Sequence, residues 1–310
     1  MKTKIALVSS WYPVAISRYI EAAFRRRDDV EIKTIGPYTG SWIPWNYGMS
    51  LRSEYAVEPD VVLGQNPAQL PMPRMGMSYE AEAKLGDWKP DIWIQIDGGF
   101  YFANKPTVGK NVFIATDPHV INYSRQRTLA DSFFCMQTPY MAAGDKYLPY
   151  AHDPAWHGYY DSKEEDEYDV ALVGLHYQQR NELIATLKAR GLRCYYDLGP
   201  AYDELNSIYH KSMMGINWSS LQDLTARVFE LLGMRRLAVV NRVPDLARFF
   251  TDRDLVIFDN MNDAVEKILY YKDNTTKADD IMQYGYETVQ AHSWDTRVEQ
   301  VLSDKDYLDG

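Results

Sequence analysis

The sequence has 310 residues and only two cysteines, Cys135 and Cys194, too few for a disulfide framework or a thiolate metal cluster. It also lacks long apolar runs. The longest, such as Ile5-Ala6-Leu7-Val8 and Leu237-Ala238-Val239-Val240, reach about four residues, against the ~18 a membrane-spanning helix needs. The first of them is also too short for the apolar core of a signal peptide, so a cytoplasmic protein is expected. No Gly-x-Gly-x-x-Gly follows a strand pattern and no Gly-x-x-x-x-Gly-Lys-Ser/Thr occurs, which argues against dinucleotide-dependent oxidoreductases and P-loop NTPases. The six histidines are scattered and form no His-Glu-x-x-His, so a zinc site is not expected. Asp252-Arg253-Asp254 has a chelator's spacing but precedes a strand pattern. Ligands in α/β sheets gather at the carboxyl ends of strands, so these residues read as a turn. No metal and no resident cofactor are expected.

Positive charge is also in deficit, with 33 Lys and Arg against 43 Asp and Glu for a net charge of −10. The acidity is uneven. Residues 1–152 carry 16 basic and 15 acidic side chains, whereas 153–310 carry 17 and 28. Such a protein gains little from counterion release on nucleic acid. The run Arg25-Arg26-Arg27 is a local exception and reads as the solvated end of a helix.

What is present is a globular composition, 46% apolar and 25% charged, in a chain long enough for two cores. Lys4–Val8, Val30–Ile35, Asp91–Ile96, Asn111–Thr116 and Ser132–Met136 read as strands, with a helix at Ile16–Arg27 whose apolar residues Ile16, Ile20, Ala23 and Phe24 share one face. From Asp169 the alternation restarts. Strands at Val170–Val173, Leu192–Tyr196, Met213–Asn217, Leu237–Val240 and Leu255–Phe258 are interleaved with helices at Gln179–Arg190, Tyr202–Lys211, Thr225–Met234 and Ala264–Tyr271. Asp263 and Glu266 have the spacing of a capping box for the last of these. Strands separated by helices of 10–15 residues indicate βαβ units. The expected architecture is α/β, with two Rossmann-like domains facing across a cleft: residues 1–152, an acidic solvated linker at 153–168, residues 169–276, and a helical segment at 277–310 packing back across both. Residues 36–77, rich in proline and with Trp42, Trp45, Tyr47 and Tyr55, lack periodicity apart from a possible strand at Val61–Leu63. They read as a binding loop or an aromatic cluster.

The helix Leu224–Leu232 is the most informative segment. Leu224, Val228, Leu231 and Leu232 form its buried stripe, leaving Arg227 and Glu230 three residues apart on another face. Spacing alone favours an exposed ion pair. Position adds a second reading, because the helix starts just after a strand end, where its free amides and positive dipole end suit an anion. Arg227 would then meet a diphosphate and Glu230 the hydroxyls of a ribose. Gly174 and Arg180 follow a second strand end, and Gly199 lies in a turn that could floor a planar base. In the first half Asp97, before Gly98-Gly99, and Asp117 and His119 in Thr116-Asp-Pro-His119 follow strands, as caps and turns or as ionisable groups at a site.

Lys89–Gly99, Ala115–His119, Tyr147–Pro154, Tyr168–Gly174 with Arg180, Arg227-Val-Phe-Glu230, Phe249-Phe250 and Ala291–Arg297 occur in an order and spacing that resemble the spore-maturation CgeB-type glycosyltransferase-like proteins. These are related to the group 1 glycosyltransferases of the GT-B fold. The resemblance implies a nucleoside-diphosphate-sugar co-substrate held mainly by the second domain, through Gly174, Arg180, Gly199, Gln222, Arg227 and Glu230, and an acceptor held by the first. It also implies that no metal is required. Gln222 stands where related retaining enzymes often carry a first glutamate, and Arg235 where a glycine is usual. Retention would let the departing phosphate take the acceptor proton, whereas inversion would need a base, for which Asp97, Asp117 and His119 are the candidates. The acceptor is left open among protein, glycan, small molecule and a modified nucleobase in DNA. A non-catalytic nucleotide- or sugar-binding protein of the same fold is the alternative.

Overall fold

The computed structural model describes residues 2–43, 49–64, 76–97, 100–160, 166–219 and 221–309. The chain divides into two compact units, one comprising Met1–Pro149 with Arg297–Gly310 and the other Tyr150–Thr296.

In the first unit the strands are β1 (Thr3–Val8), β2 (Val30–Gly36), β3 (Trp42–Ile43), β4 (Met49–Ser50), β5 (Val61–Val62), β6 (Ile92–Ile96), β7 (Lys110–Ala115), β8 (Ser132–Cys135) and β9 (Lys146–Tyr147). Seven of them form a sheet in the order β5-β2-β1-β6-β7-β8-β9, every pair parallel. β3 and β4 pair antiparallel as a separate ribbon. Ile5, Ala6, Leu7 and Val8 are all buried, as expected of a parallel strand covered on both faces. Helices α1 (Ser17–Arg25), α2 (Met77–Leu85) and α3 (Ser124–Leu129) belong to this unit.

The second unit has β10 (Tyr168–Val173), β11 (Cys194–Asp197), β12 (Ser212–Asn217), β13 (Leu237–Asn241) and β14 (Val256–Phe258), in the parallel order β11-β10-β12-β13-β14. Helices α4 (Gln178–Ala189), α5 (Tyr202–His210), α6 (Ala226–Gly233), α7 (Met261–Asp273), α8 (Thr275–Val289) and α9 (Trp294–Leu302) follow in turn, the residues of α9 from Arg297 onward being counted with the first unit. Val170, Leu172, Met214, Ile216, Leu237 and Val239 form the centre of its core. In this order β11 lies on one side of β10 and β12 on the other, so the carboxyl ends of β10 and β12 flank the point where the winding reverses.

Several local expectations are corrected. The cap of α7 is Asn260, whose side chain accepts the Asp263 amide at 3.1 Å, while Asp263 binds Lys267 and the Asp259 amide. The helix therefore starts earlier than the Asp263–Glu266 spacing suggests. The helical stretch near 277–303 is two helices, interrupted where His152 and Ser293 form a bridge and His292 O accepts the His152 amide. Helix α2 escaped the periodicity reading, since its buried set of Met77, Ser78, Ala81 and Leu85 includes a serine. Trp45, Tyr47 and residues 161–165 lie outside the described residues. The rest of the 153–168 stretch falls within the second unit: Asp153 and His157 are buried. Asp169, at the end of the acidic run, is buried as well. Burial pushes its carboxyl pKa up, but hydrogen bonds from Arg193 and Lys272 outweigh this and hold it below the usual carboxylate range. The Arg25–Arg27 run is engaged in ion pairs, Arg25 with Glu21 and Arg27 with Asp29.

His210 on α5 is buried. Its Nδ1–H donates to Asn206 O at 2.9 Å, its Nε2 accepts the Tyr160 amide at 3.3 Å, and the Tyr160 ring stacks on it at 3.8 Å. Burial pushes its pKa from 6.5 down to about 4. Below pH 6.5 the unfolded chain takes up a proton that the folded imidazole refuses, so this contribution to stability is full above about 6.5 and declines toward pH 4. Thermal unfolding should show the midpoint falling between pH 7.5 and 5, with a smaller fall in His210→Gln. Equal falls would remove His210 from this account.

Candidate functional site

The site of the second unit is assembled at the carboxyl ends of β10 and β12. Gly174 follows β10 with φ 155°, and a Cβ there would lie 2.9 Å from Arg180 Nη1, so only glycine lets the backbone turn beneath that side chain. Arg180, on the first turn of α4, is 8% exposed. Its Nε and Nη2 donate to Trp218 O at 2.9 and 2.7 Å, and Nη1 donates to Leu175 O at 3.1 Å. The guanidinium thus clamps the loop after β10 to the loop after β12. Burial lowers its pKa, and the nearby Arg227 lowers it further. Among the described residues no carboxylate pairs with it.

Arg227 and Glu230 differ from a surface ion pair. Arg227 Nη1 lies 2.6 Å from Glu230 Oε2, and the Glu230 side chain is only 8% exposed. The other oxygen, Oε1, stands 3.7 Å from Nε2 of the fully buried His157. His157 Nδ1 accepts the Asp153 amide at 3.0 Å, which assigns the ring proton to Nε2, facing Glu230. Burial is the main cause that pushes the His157 pKa below its ordinary value, so the ring is neutral near pH 7. Arg227 also lies over the ring of Tyr209, 5.5 Å from its centroid, and the Tyr209 hydroxyl accepts the Val173 amide at 3.1 Å. His157 and Tyr209 were not singled out from the sequence. The motif ending at Pro154 stops three residues short of the histidine, and a tyrosine within a helix carries no distinctive signal.

The start of α6 is open to an anion. Its N-cap residue, Thr225, makes no capping bond, and the first turn holds no acid, because the Thr225 hydroxyl instead donates to Asn217 Oδ1 at 3.1 Å. At the other end Arg235 adopts φ 53°, the left-handed conformation for which glycine is usual. The helix end is kept despite the side chain, and the Arg235 guanidinium packs over Tyr159. Gln222, exposed at φ 60°, lines a cavity of about 530 Å³ together with Arg242, Pro244, Leu246, Ile257 and Asp259. Arg227 and Glu230 are not in its wall. Gly199 is half-buried in the loop between β11 and α5.

In the first unit Asp97 follows β6 and is 1% exposed, while Gly98 and Gly99 lie outside the described residues. Tyr123 donates its phenolic hydrogen to Asp97 Oδ2, and Thr116 Oγ1 donates to Asp97 O at 2.8 Å. Burial and the Asp97 charge raise the Tyr123 pKa far above its ordinary value, keeping that hydrogen in place. Asp117 is half-buried and accepts the Thr116 hydroxyl at 3.0 Å. His119 is half-buried, with an enclosed Nδ1 that has no hydrogen-bond partner among the described residues. Asp254, by contrast, is committed to Thr251 and Thr288, as a turn residue should be. Among the described residues no group of three His, Cys, Asp or Glu could hold a metal ion, and no helix is long and apolar enough to cross a membrane.

Comparison of the structure with solved structures gives an alignment over nearly the whole chain. An alpha-glucosyltransferase in complex with UDP and a 13-mer DNA containing a HMU base is 12% identical with a TM-score of 0.67, covering 98% of this chain and 99% of the other. Sucrose-phosphate synthase from Thermosynechococcus elongatus is 12% identical with a TM-score of 0.64, over 97% and 98%. A glycosyltransferase from Rickettsia africae is 10% identical with a TM-score of 0.64, over 97% of each chain. The fold is that of the GT-B glycosyltransferases. Residues 161–303 match the family model described as glycosyl transferase-like, and no curated protein matches the chain. Family match and GT-B fold together support a role in glycosyl transfer. The stretch matched contains Gly174, Arg180, Arg227 and Glu230.

The clamp yields a direct test. Gly174→Ala would strain the backbone and displace Arg180 from Leu175 O, at a cost of roughly 1–3 kcal/mol. Chemical denaturation should register that loss. A change within about 0.5 kcal/mol, the range of an ordinary surface substitution, would contradict it.

Proposed function

We propose that this chain is a CgeB-type glycosyltransferase that moves a sugar from a nucleoside-diphosphate donor to an acceptor, with retention of configuration and without a metal. The observation that carries the reading is Arg180, a guanidinium 8% exposed at the reversal point of the second sheet, with no carboxylate partner among the described residues. Holding an uncompensated cation out of water is costly, and a diphosphate supplies the missing charge. Arg227, close enough to depress the pKa of Arg180, and the uncapped start of α6 add to the same field. A charge-assisted contact is worth roughly 1.5–3 kcal/mol, and the helix terminus adds about 0.3–1 kcal/mol.

In the proposed reaction the bond from the anomeric carbon to the diphosphate oxygen breaks, and the bond from that carbon to the acceptor oxygen forms. The acceptor proton passes to the departing diphosphate. Charge builds on the leaving group through an oxocarbenium-like transition state, so Arg180 and Arg227 act through charges positioned before reaction. Glu230, held by Arg227 and faced by the neutral His157, would accept the ribose hydroxyls, and Gln222 would face the sugar. The Asp97 carboxylate is buried and already accepts the Tyr123 hydroxyl, which makes it poorly available as a base and supports retention. The solved alpha-glucosyltransferase was determined with UDP and DNA. For this chain the net charge of −10 disfavours DNA as acceptor.

Calorimetry with UDP and GDP tests the reading. Arg227→Ala should weaken binding of whichever nucleotide is held by roughly 2–3 kcal/mol, while Arg227→Lys, which preserves the charge beside Glu230, should lose less. Transfer or donor hydrolysis should persist in EDTA. Unchanged affinity in the alanine variant would return Arg227 to a purely structural ion pair. Activity abolished by EDTA and restored by manganese would overturn metal independence, and binding with no turnover would leave a nucleotide-binding protein.

A further inference from the structure

The first unit carries a second set of anion-ready groups that no step above uses. Ser9 and Ser10 follow the last residue of β1, and Ser17 opens α1; all three are buried, at 1%, 0% and 0% exposed. Each hydroxyl oxygen is enclosed without a hydrogen-bond partner among the described residues, as are Nε and Nη1 of Arg18. Arg18 forms an ion pair with Glu21, whose Oε2 lies 3.7 Å from Nη1, too far for a hydrogen bond. The other oxygen of Glu21 accepts from Arg25 Nε at 2.8 Å. The helix start adds no acceptor: Ile16 is the N-cap residue and the first turn of α1 has no acid. The place is also topologically apt, since β1 lies between β2 and β6 and its carboxyl end sits where the winding of the first sheet reverses.

Enclosed polar groups without partners are rare in folded proteins and mark a missing partner when they cluster. Here two hydroxyls directly follow β1, and the third, with two guanidinium nitrogens and the positive helix end, lies in the first turn of α1, at the other end of one strand-to-helix connection. A ligand that only accepts hydrogen bonds and carries negative charge suits such a set. The guanidinium and the helix end only donate and are positive, so they favour an anion over a neutral sugar. A phosphoryl group fits, with several acceptor oxygens on one small centre. We propose that Ser9, Ser10, Ser17 and Arg18 form a phosphoryl-binding site in the first unit, and that it holds the phosphate of a phosphorylated sugar or polyol acceptor. The word acceptor rests on the glycosyl-transfer reading; the site does not.

The test uses the full chain and three probes, glucose 6-phosphate, inorganic phosphate and UDP, followed by calorimetry and thermal unfolding. Glucose 6-phosphate should bind and raise the unfolding midpoint. Arg18→Gln and the double variant Ser10→Ala with Ser17→Ala should each weaken that binding at least tenfold while leaving UDP affinity unchanged. Without ligand, the double variant should be as stable as the parent or more so, because it removes hydroxyls that have no partner. A less stable double variant with an unchanged response to glucose 6-phosphate would show that the hydroxyls are satisfied within the fold and would overturn the site. Binding of inorganic phosphate alone would overturn the phosphorylated acceptor. Normal UDP binding with no response to either phosphate compound would end this inference and leave the transferase reading standing, whereas loss of UDP binding in Arg227→Ala bears only on that reading.

Discussion

A guanidinium held out of water by two backbone carbonyls, with no carboxylate to neutralise it, is the constraint around which the second unit is organised. Arg180 reaches Leu175 O and Trp218 O, and these oxygens belong to the loops that follow β10 and β12. The clamp ties the two loops to each other, while Thr225 and Ser219, bonded to Asn217 and Asn241, hold the second of them where it leads into α6. Gly174 is the backbone counterpart of that clamp. The cost of holding a cation there is tolerated because the same charge can serve an anion at the strand ends.

Around this cation the neighbouring groups limit one another. Arg227 would add a second like charge, but Glu230 neutralises it, and His157 stays neutral against Glu230 because burial opposes its protonation. The result is one net positive charge, that of Arg180. A site meant to release a diphosphate after transfer needs attraction of that limited kind, strong enough to orient the leaving group and weak enough to let it go.

Much of the architecture was legible because parallel strands buried on both faces appear as short apolar runs separated by helical periodicity. β1, β10, β12 and β13 could be read in that way. Arg227 and Glu230 were legible as a pair through their spacing and their place after β12. Their burial was not, because it depends on His157 and Tyr209, which arrive from distant parts of the chain. Arg180 was legible as a candidate through its place after a strand end and the resemblance, but the two carbonyls that hold it were not, since backbone acceptors leave no mark in a sequence. Arg235 was legible as a departure from glycine, yet only its φ of 53° shows that the helix end survives the change. Helix α2 and the short strands β3 and β4 went unread, being too brief or too mixed in polarity for either period to emerge.

The most direct test of the account is a diffraction experiment on crystals soaked with UDP. The diphosphate should lie against the start of α6, with oxygens in hydrogen-bond reach of Arg227 and on the side of the Arg180 clamp, and the ribose hydroxyls should meet Glu230. A diphosphate bound instead in the cavity between Gln222 and Arg242, with Arg180 and Glu230 untouched, would contradict it.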